Sequence, residues 1–438
     1  MIPDRRSVRA WIVFDLANTI FALGVIGLYF PEWLTSQGAA DSMLAGVEAL
    51  AGLIVVFAAP WAGARSDVRG TRVPSLIITP ISSVLATGLL GVTVPSSLVF
   101  LGLALVAVNI GSVVYDALLL DVSTESNRGR ISGLGVGIGY VGSYVGLLIG
   151  IITLDVLGLG YPATFRTLAL GFLLFALPAF FLIREQPARR DADLPGLTEV
   201  PGRIATAWRS ARRYPGVARF LVGRFMYTDA INTLIGGFLT IFVVAELGLD
   251  RQFVTALLGV AITAAIGGGI VAGRLVEDYG PNRVLRSVLL LWVVAIASGI
   301  VAAQTGWTWI AWAIGPLGGI ALGATWASDR VVMTRISPPR HLGEFYGLYA
   351  TVGRFATILG PLVWALIVDG IGLSRSFAMG ALAVFIVTGW AILAGVDDSV
   401  RSWAPTELRV TDGPDAPLRS DAALPRTESE DPGSPEGP

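Results

Sequence analysis

Runs of about 20 apolar residues recur along most of this 438-residue chain, and nothing else in it limits the fold so tightly. The first extends from about Trp11 to Phe30. Five more follow at about 44–64, 74–94, 98–120, 132–154 and 162–183. After a polar stretch, six others lie at about 217–245, 253–275, 284–303, 308–332, 344–369 and 374–395. A helix of that length crosses the hydrocarbon core of a bilayer, where every backbone N–H and C=O must find its partner within the protein. The chain therefore reads as an all-α transmembrane protein of twelve helices. Composition agrees, with 54% of residues hydrophobic and 14% charged, against about 25% charged in a soluble domain. Cysteine is absent and His341 is the only histidine, which excludes disulfides and thiolate chemistry and leaves no histidine cluster for a metal. No metal, cofactor or Walker-type phosphate loop is expected, so the chain does not read as an enzyme. A net charge of −1 speaks against a nucleic-acid partner.

The basic residues are all arginine, 31 of them. Of these, 22 lie in the N-terminal segment, the even-to-odd connections and the central loop, and only Arg166, Arg251 and Arg375 lie at odd-to-even connections. The positive-inside rule then puts both termini in the cytoplasm, for a multi-pass protein of the cell (inner) membrane. Arg5, Arg6 and Arg9 imitate the start of a secretory signal, but Asp15 and Asn18 inside the first run, and the many runs after it, favour a retained anchor. The expected organisation is a first six-helix bundle over 1–183, a cytoplasmic loop over 184–218, a second bundle over 219–395 and an acidic tail over 396–438. Within the loop, Arg203–Arg213 reads either as a short helix on the anionic inner leaflet or as a solvated basic linker. The tail, rich in proline, glycine, serine and acid, is expected to be disordered. A monomer embedded in the lipid bilayer is expected.

Function is sought among polar residues inside the apolar runs, because each charge at a helix centre costs roughly 2.5–3.5 kcal/mol in lipid. Asp15-Leu16-Ala17-Asn18-Thr19 lies a turn or so inside the first run, and D-x-x-N-T returns 214 residues later (15 to 229) as Asp229-Ala230-Ile231-Asn232-Thr233. The fifth run opens on Gly129-Arg130-Ile131-Ser132-Gly133-Leu134, and at the same offset the eleventh opens on Gly343-Glu344-Phe345-Tyr346-Gly347-Leu348. After the second run, Gly63-x3-Asp67-x2-Gly70-x-Arg72 has a partial echo after the eighth in Gly273-x3-Glu277-x2-Gly280-x2-Arg283. Two parallel six-helix halves joined by a cytoplasmic loop are the plan of a major facilitator superfamily transporter.

Asp15 and Asn18 share a helix face, as do Asp229 and Asn232. Arg354, ten residues beyond Glu344, stands about 15 Å into the membrane. Such groups must face one another or a wet cavity. Opposite charges across a cavity suit a zwitterion such as an amino acid, and an aspartate there also exchanges a proton as access alternates. The competing reading is a buried salt bridge of Arg354 or Arg224 with Asp229 that locks the halves together. Without substrate, Arg354 is expected beside Asp229 or Asp15. The candidate substrate- or proton-binding residues are Asp15, Asn18, Thr19, Asp229, Asn232, Thr233, Arg354 and Arg224, with Asn109, Tyr140, Tyr144, Tyr227 and Trp326 as cavity lining. Asp116 and Asp329, near cytoplasmic helix ends, are assigned to gating. The Gly63, Asp67, Gly70, Arg72 and Glu277 loops read as a cytoplasmic gate or as solvated turns that only enforce topology. The stripe Gly135, Gly139, Gly142, Gly146 and Gly150 reads as a close-packed helix face.

Several motifs narrow the resemblance. Phe14-Asp15-Leu16-Ala17-Asn18-Thr19 resembles the Y-D-x-A-N-S signature of the vacuole-effluxer-like family, a branch of the major facilitator superfamily. Tyr227-Thr228-Asp229-Ala230-Ile231-Asn232-Thr233 resembles its Y-x-D-G-x-x-T, with Ala230 in place of glycine. Gly133-Leu134-Gly135 with Gly139-Tyr140-Val141-Gly142 resembles S-G-L-G…G-Y-x-G. Glu344-Phe345-Tyr346-Gly347-Leu348-Tyr349, then Gly353-Arg354 and Gly360-Pro361, resembles E-F-F-G-L-Y…G-K…G-P, with arginine replacing lysine. The resemblance implies the twelve-helix major facilitator fold and efflux of a small molecule, an amino acid, by alternating access. Proton coupling through Asp15, Asp229 or both is the expected drive. The alternative within the superfamily is a drug or metabolite exporter without amino-acid selectivity. A channel or receptor is disfavoured by the repeated halves.

Overall fold

A computed structural model describes residues 4–69, 71–123, 128–184, 199–338, 342–399 and 403. The acidic tail after 403 and His341 lie outside them. The described residues are almost entirely helical, with no strand. Eleven of their helices are long and apolar enough to cross a membrane, and the shorter apolar helix Val73–Gly88 falls in sequence as the third of twelve. The first span is longer than its apolar core, Arg5–Ser36. Asp4 starts it by accepting the Arg6 N–H at 3.1 Å, and its middle stretch, Ile20–Tyr29, is wound as a π-helix. Between the sixth and seventh spans, Val200–Ala211 forms a helix with Ile204 and Trp208 half-buried and Arg209 exposed.

Small residues set how closely the spans pack. The fifth span (Arg128–Gly150) turns its glycine stripe onto the first. A Cβ at Gly146 would stand 3.3 Å from the Ile20 carbonyl and 3.4 Å from Gly24 Cα, and one at Gly135 would meet the Trp11 ring at 2.8 Å. Backbones that close gain dispersion that lipid cannot supply. Trp11 is also pinned to the fourth span (Val94–Val122), stacking on Tyr115 at 4.5 Å between centroids and donating through Nε1 to the Tyr115 carbonyl at 3.0 Å. In the second half, the eighth span (Arg251–Tyr279) and the tenth (Ile314–Ile336) pack the same way. A Cβ at Gly268 would stand 2.5 Å from the Ile320 carbonyl.

The eleventh span departs from the expected continuous helix. It is a helix over Leu342–Phe355, a non-helical link, and a second helix over Leu359–Ala365. Pro361 has no N–H to give the carbonyl one turn back, which favours the interruption at this point.

The end carrying the described arginines Arg5, Arg6 and Arg9 can be called the basic end. Among the described residues, every ion pair between the first six spans and the last six lies at the opposite, far end. Arg375 grips Asp41 with two nitrogens, at 2.8 and 2.9 Å, and Trp364 Nε1 donates to the same carboxylate at 2.8 Å. Arg251 bonds Asp155 and stands 3.9 Å from Glu32. Thr240 donates to the Gly27 carbonyl at 2.6 Å across the same seam. The far end is thus sealed by bidentate, charge-assisted contacts.

Candidate functional site

Between the two halves lies a cavity of about 460 Å³. Its walls are mainly apolar, from residues such as Leu23, Val55, Leu105, Leu257 and Ile296. Of the residues singled out from sequence, Thr19, Asn109, Tyr140, Asn232, Thr233 and Arg354 line it. Arg354 makes no ion pair within 4 Å among the described residues, so its guanidinium is available to a ligand. Asp15, Asn18 and Asp229 do not reach the cavity wall.

Asp229 is fully buried, and its Oδ2 accepts the Gly360 N–H at 2.7 Å. Asn232, one turn on, donates through Nδ2 to the Ala356 carbonyl at 2.7 Å. The pair therefore spans the break in the eleventh helix, one side chain taking an N–H freed at the start of its second segment, the other serving a carbonyl left at the end of its first. This corrects the expectation that Asp229 meets Arg354 or Arg224. The aspartate is committed to backbone, as in a helix N-cap. In the first half the same motif faces an unbroken helix. The Asp15 carboxylate lies against Gly139, 2.5 Å from where a Cβ would stand, and Thr19 Oγ1 donates to the Gly139 carbonyl. Asn18 is half-buried and makes no hydrogen bond through its side chain among the described residues.

Arg224 is held elsewhere too. It bonds Asp329 at 3.2 Å with both side chains buried, lies 3.6 Å from the Tyr349 ring centroid and donates to the Tyr349 carbonyl at 3.3 Å. This is a lock within the second half. Tyr227 is fully buried beside it, and neither Tyr227 nor Trp326 lines the cavity. Tyr144 bridges the halves instead, donating to the Gly259 carbonyl at 3.1 Å.

Arg354 rests with neither Asp229 nor Asp15. The acid whose charge acts on it is Asp116 on the fourth span, which is also acted on by Arg330 of the tenth, with no ion pair within 4 Å joining them among the described residues. Arg330 acts on Asp15 as well. Asp116 and Arg330 are both exposed, on the basic side of the cavity. They stand at the 214-residue offset that relates the two halves, with opposite charges. Of the residues assigned to gating, Arg72 bonds Asp121 of its own half at 2.9 Å, and Glu277 is exposed without a hydrogen bond or ion pair among the described residues. Gly70, the surroundings of Gly63 and the Asp67 side chain lie outside the described residues.

Sequence reasoning passed over Glu48, Arg330 and Asp41. Glu48 lines the cavity from the second span (Asp41–Arg69). The rule that singled out Asp15, an acid inside an apolar run, applies to it equally. Arg330 falls inside the run at about 308–332, and its helix continues to Ile336.

The family model for vacuole effluxer Atg22-like proteins matches residues 120–401. The uncharacterized MFS-type transporter YxiO of Bacillus subtilis is 25% identical over 421 residues, 90% of this chain and 95% of YxiO. Autophagy-related protein 22-1 of Penicillium rubens is 25% identical over 300 residues, 62% of this chain and 50% of the fungal protein, so the match spans about half the fungal length. Among solved structures, the nucleoside transporter NupG superposes with a TM-score of 0.67 at 13% identity, covering 90% of this chain and all of NupG. A D-xylose-proton symporter gives 0.67 at 14%, covering 90% and 99%. At such identities these two establish the fold alone, that of the major facilitator superfamily. With that fold, a polytopic membrane chain and a family match over well more than half its length, this chain belongs to the vacuole effluxer Atg22-like family and is a secondary transporter of a small solute.

Proposed function

We propose that this transporter carries an amino acid by alternating access, with Arg354 taking the substrate carboxylate. The observation that carries the reading is Arg354 itself, an arginine on the cavity wall with no direct ion pair. A guanidinium offers a planar fork that fits a carboxylate, and the apolar walls accommodate an aliphatic stem. Asn109, Tyr140, Asn232, Thr19 and Thr233 supply neutral donors and acceptors around it. Both termini face the cytoplasm of a cell membrane in this proposal, so a protein sealed at its far end is open inward. Proton coupling is assigned to Asp15, which is half-buried and sensed by Asp116 and Arg330, since Asp229 is committed to the eleventh helix.

The test is thermal stabilisation of the purified protein by amino acids and by their amides. Amino acids should bind and the amides should bind at least tenfold more weakly, with that difference lost in Arg354→Ala. If Arg354→Ala weakens acid and amide equally, Arg354 is structural and the reading fails. For Asp15, Asp15→Asn in proteoliposomes should lose accumulation driven by a pH gradient while keeping exchange. Unchanged accumulation rules that assignment out.

A further inference from the structure

Besides Arg354, one charged residue lines the cavity among the described residues, and it is Glu48. The second span runs from the far end toward the basic end, and the eleventh runs the other way. The two meet where Gly52 faces Thr357: a Cβ at Gly52 would stand 2.9 Å from Thr357 Oγ1 and 3.0 Å from Ile358 Cγ1. Glu48 is one turn from that crossing toward the far end, and Arg354 one turn from it toward the basic end. The four helical residues from Gly52 to Glu48 alone account for about 6 Å, and Arg354 lies on the other side of the crossing, at the end of the eleventh span's first helical segment. No ion pair or hydrogen bond joins them among the described residues.

Glu48 also lacks a partner of its own, since no hydrogen bond or ion pair joins its carboxyl to a described residue. Its Oε1 lies against Gly236 on the seventh span, 3.2 Å from where a Cβ would stand, so the absence of a side chain there leaves the carboxyl its place. An ionised carboxylate among apolar walls is unfavourable unless a counter-charge reaches it, and no side chain of the described residues supplies one. The cavity thus has a cation at its basic end, an anion at its far end and an apolar passage between. An α-amino acid head group, whose charges are only a few bonds apart, spans too little to engage both.

We propose that Glu48 is the subsite for a second cationic group of the substrate, so that the transporter selects amino acids carrying an ammonium or guanidinium at the end of an aliphatic stem. This rests on Arg354 taking the carboxylate. The stem lies along the apolar walls, the carboxylate meets Arg354 and the terminal cation meets Glu48. Gly236 is a positioning residue for that carboxyl.

The experiment measures binding of lysine, norleucine and lysinamide to the purified full-length protein by calorimetry. Norleucine lacks only the terminal ammonium, and lysinamide lacks only the carboxylate. Lysine should bind about 10- to 100-fold more tightly than norleucine, the range of one charge-assisted hydrogen bond. Glu48→Gln should erase that preference while leaving norleucine affinity within a few-fold, and Gly236→Ala should reduce it. Equal affinity for lysine and norleucine in the native protein overturns the proposal but leaves the role of Arg354 standing. So does a lysine preference that survives in Glu48→Gln, even where that variant loses gradient-driven uptake. Equal affinity for lysine and lysinamide, by contrast, removes the Arg354 reading on which it rests.

Discussion

Asp229 offers a sharp separation between structural and functional roles for a membrane-embedded acid. Its Oδ2 accepts the Gly360 N–H at 2.7 Å, and both residues are buried. Asp229→Ala removes a charge-assisted hydrogen bond and leaves that N–H without a partner in a dry setting. The two effects together cost about 2–4 kcal/mol of stability. Asp229→Asn keeps an oxygen at the same reach, and the loss should stay under about 1.5 kcal/mol, the worth of one neutral hydrogen bond. Unfolding of both variants in mixed detergent micelles reads these numbers, and transport in proteoliposomes at matched protein levels reads function. The cap predicts that transport follows stability: nearly native in Asp229→Asn and impaired in Asp229→Ala. An Asp229→Asn protein as stable as the native one but without transport would refute the reasoning, because an acid would then be needed where the structure uses only an acceptor.

Three further outcomes follow from contacts elsewhere. Asp329→Ala strands the buried Arg224 charge and should cost about 3–5 kcal/mol, and replacing both residues by apolar ones should recover much of it; equal losses in the single and double variants would show that the pair is not the cause. Asp41→Asn removes the carboxylate held by Arg375 and Trp364, and should open the far end more often. In the cysteine-free native chain, Ile26→Cys on the cavity wall should then react faster with a membrane-impermeant thiol reagent from the far side, and an unchanged rate would mean that this contact does not hold the seam. Gly146→Leu should prevent the first and fifth spans from closing to their present distance, and normal folding yield in that variant would remove the close-packing argument.

Much of the fold was legible because lipid leaves the backbone so few options. Apolar runs of bilayer length have to be helices, and the paired D-x-x-N-T and Gly129/Gly343 motifs revealed the doubling. The site was less legible, for a reason visible at particular residues. Asp15 and Asp229 look alike in sequence, yet one lies against an unbroken glycine-lined helix and the other bridges a broken one. Gly360-Pro361 marks where the eleventh helix is interrupted, but no pattern states which side chain covers the freed backbone groups. Spacing likewise placed Arg354 at mid-depth, while the acid whose charge acts on it, Asp116, comes from a helix over two hundred residues away. Glu48 escaped notice because it is a single acid with no counterpart in the other half.

The charges at positions 116 and 330 carry an evolutionary consequence. A doubled chain begins as two identical modules, and any residue facing its own symmetry mate then meets a copy of itself. Asp116 and Arg330 stand at the 214-residue offset of the repeated motifs and act on each other electrostatically with opposite sign. Two first halves paired in this way would set aspartate against aspartate, and two second halves arginine against arginine. Opposite charges at these two positions therefore disfavour pairing of either half with a copy of itself.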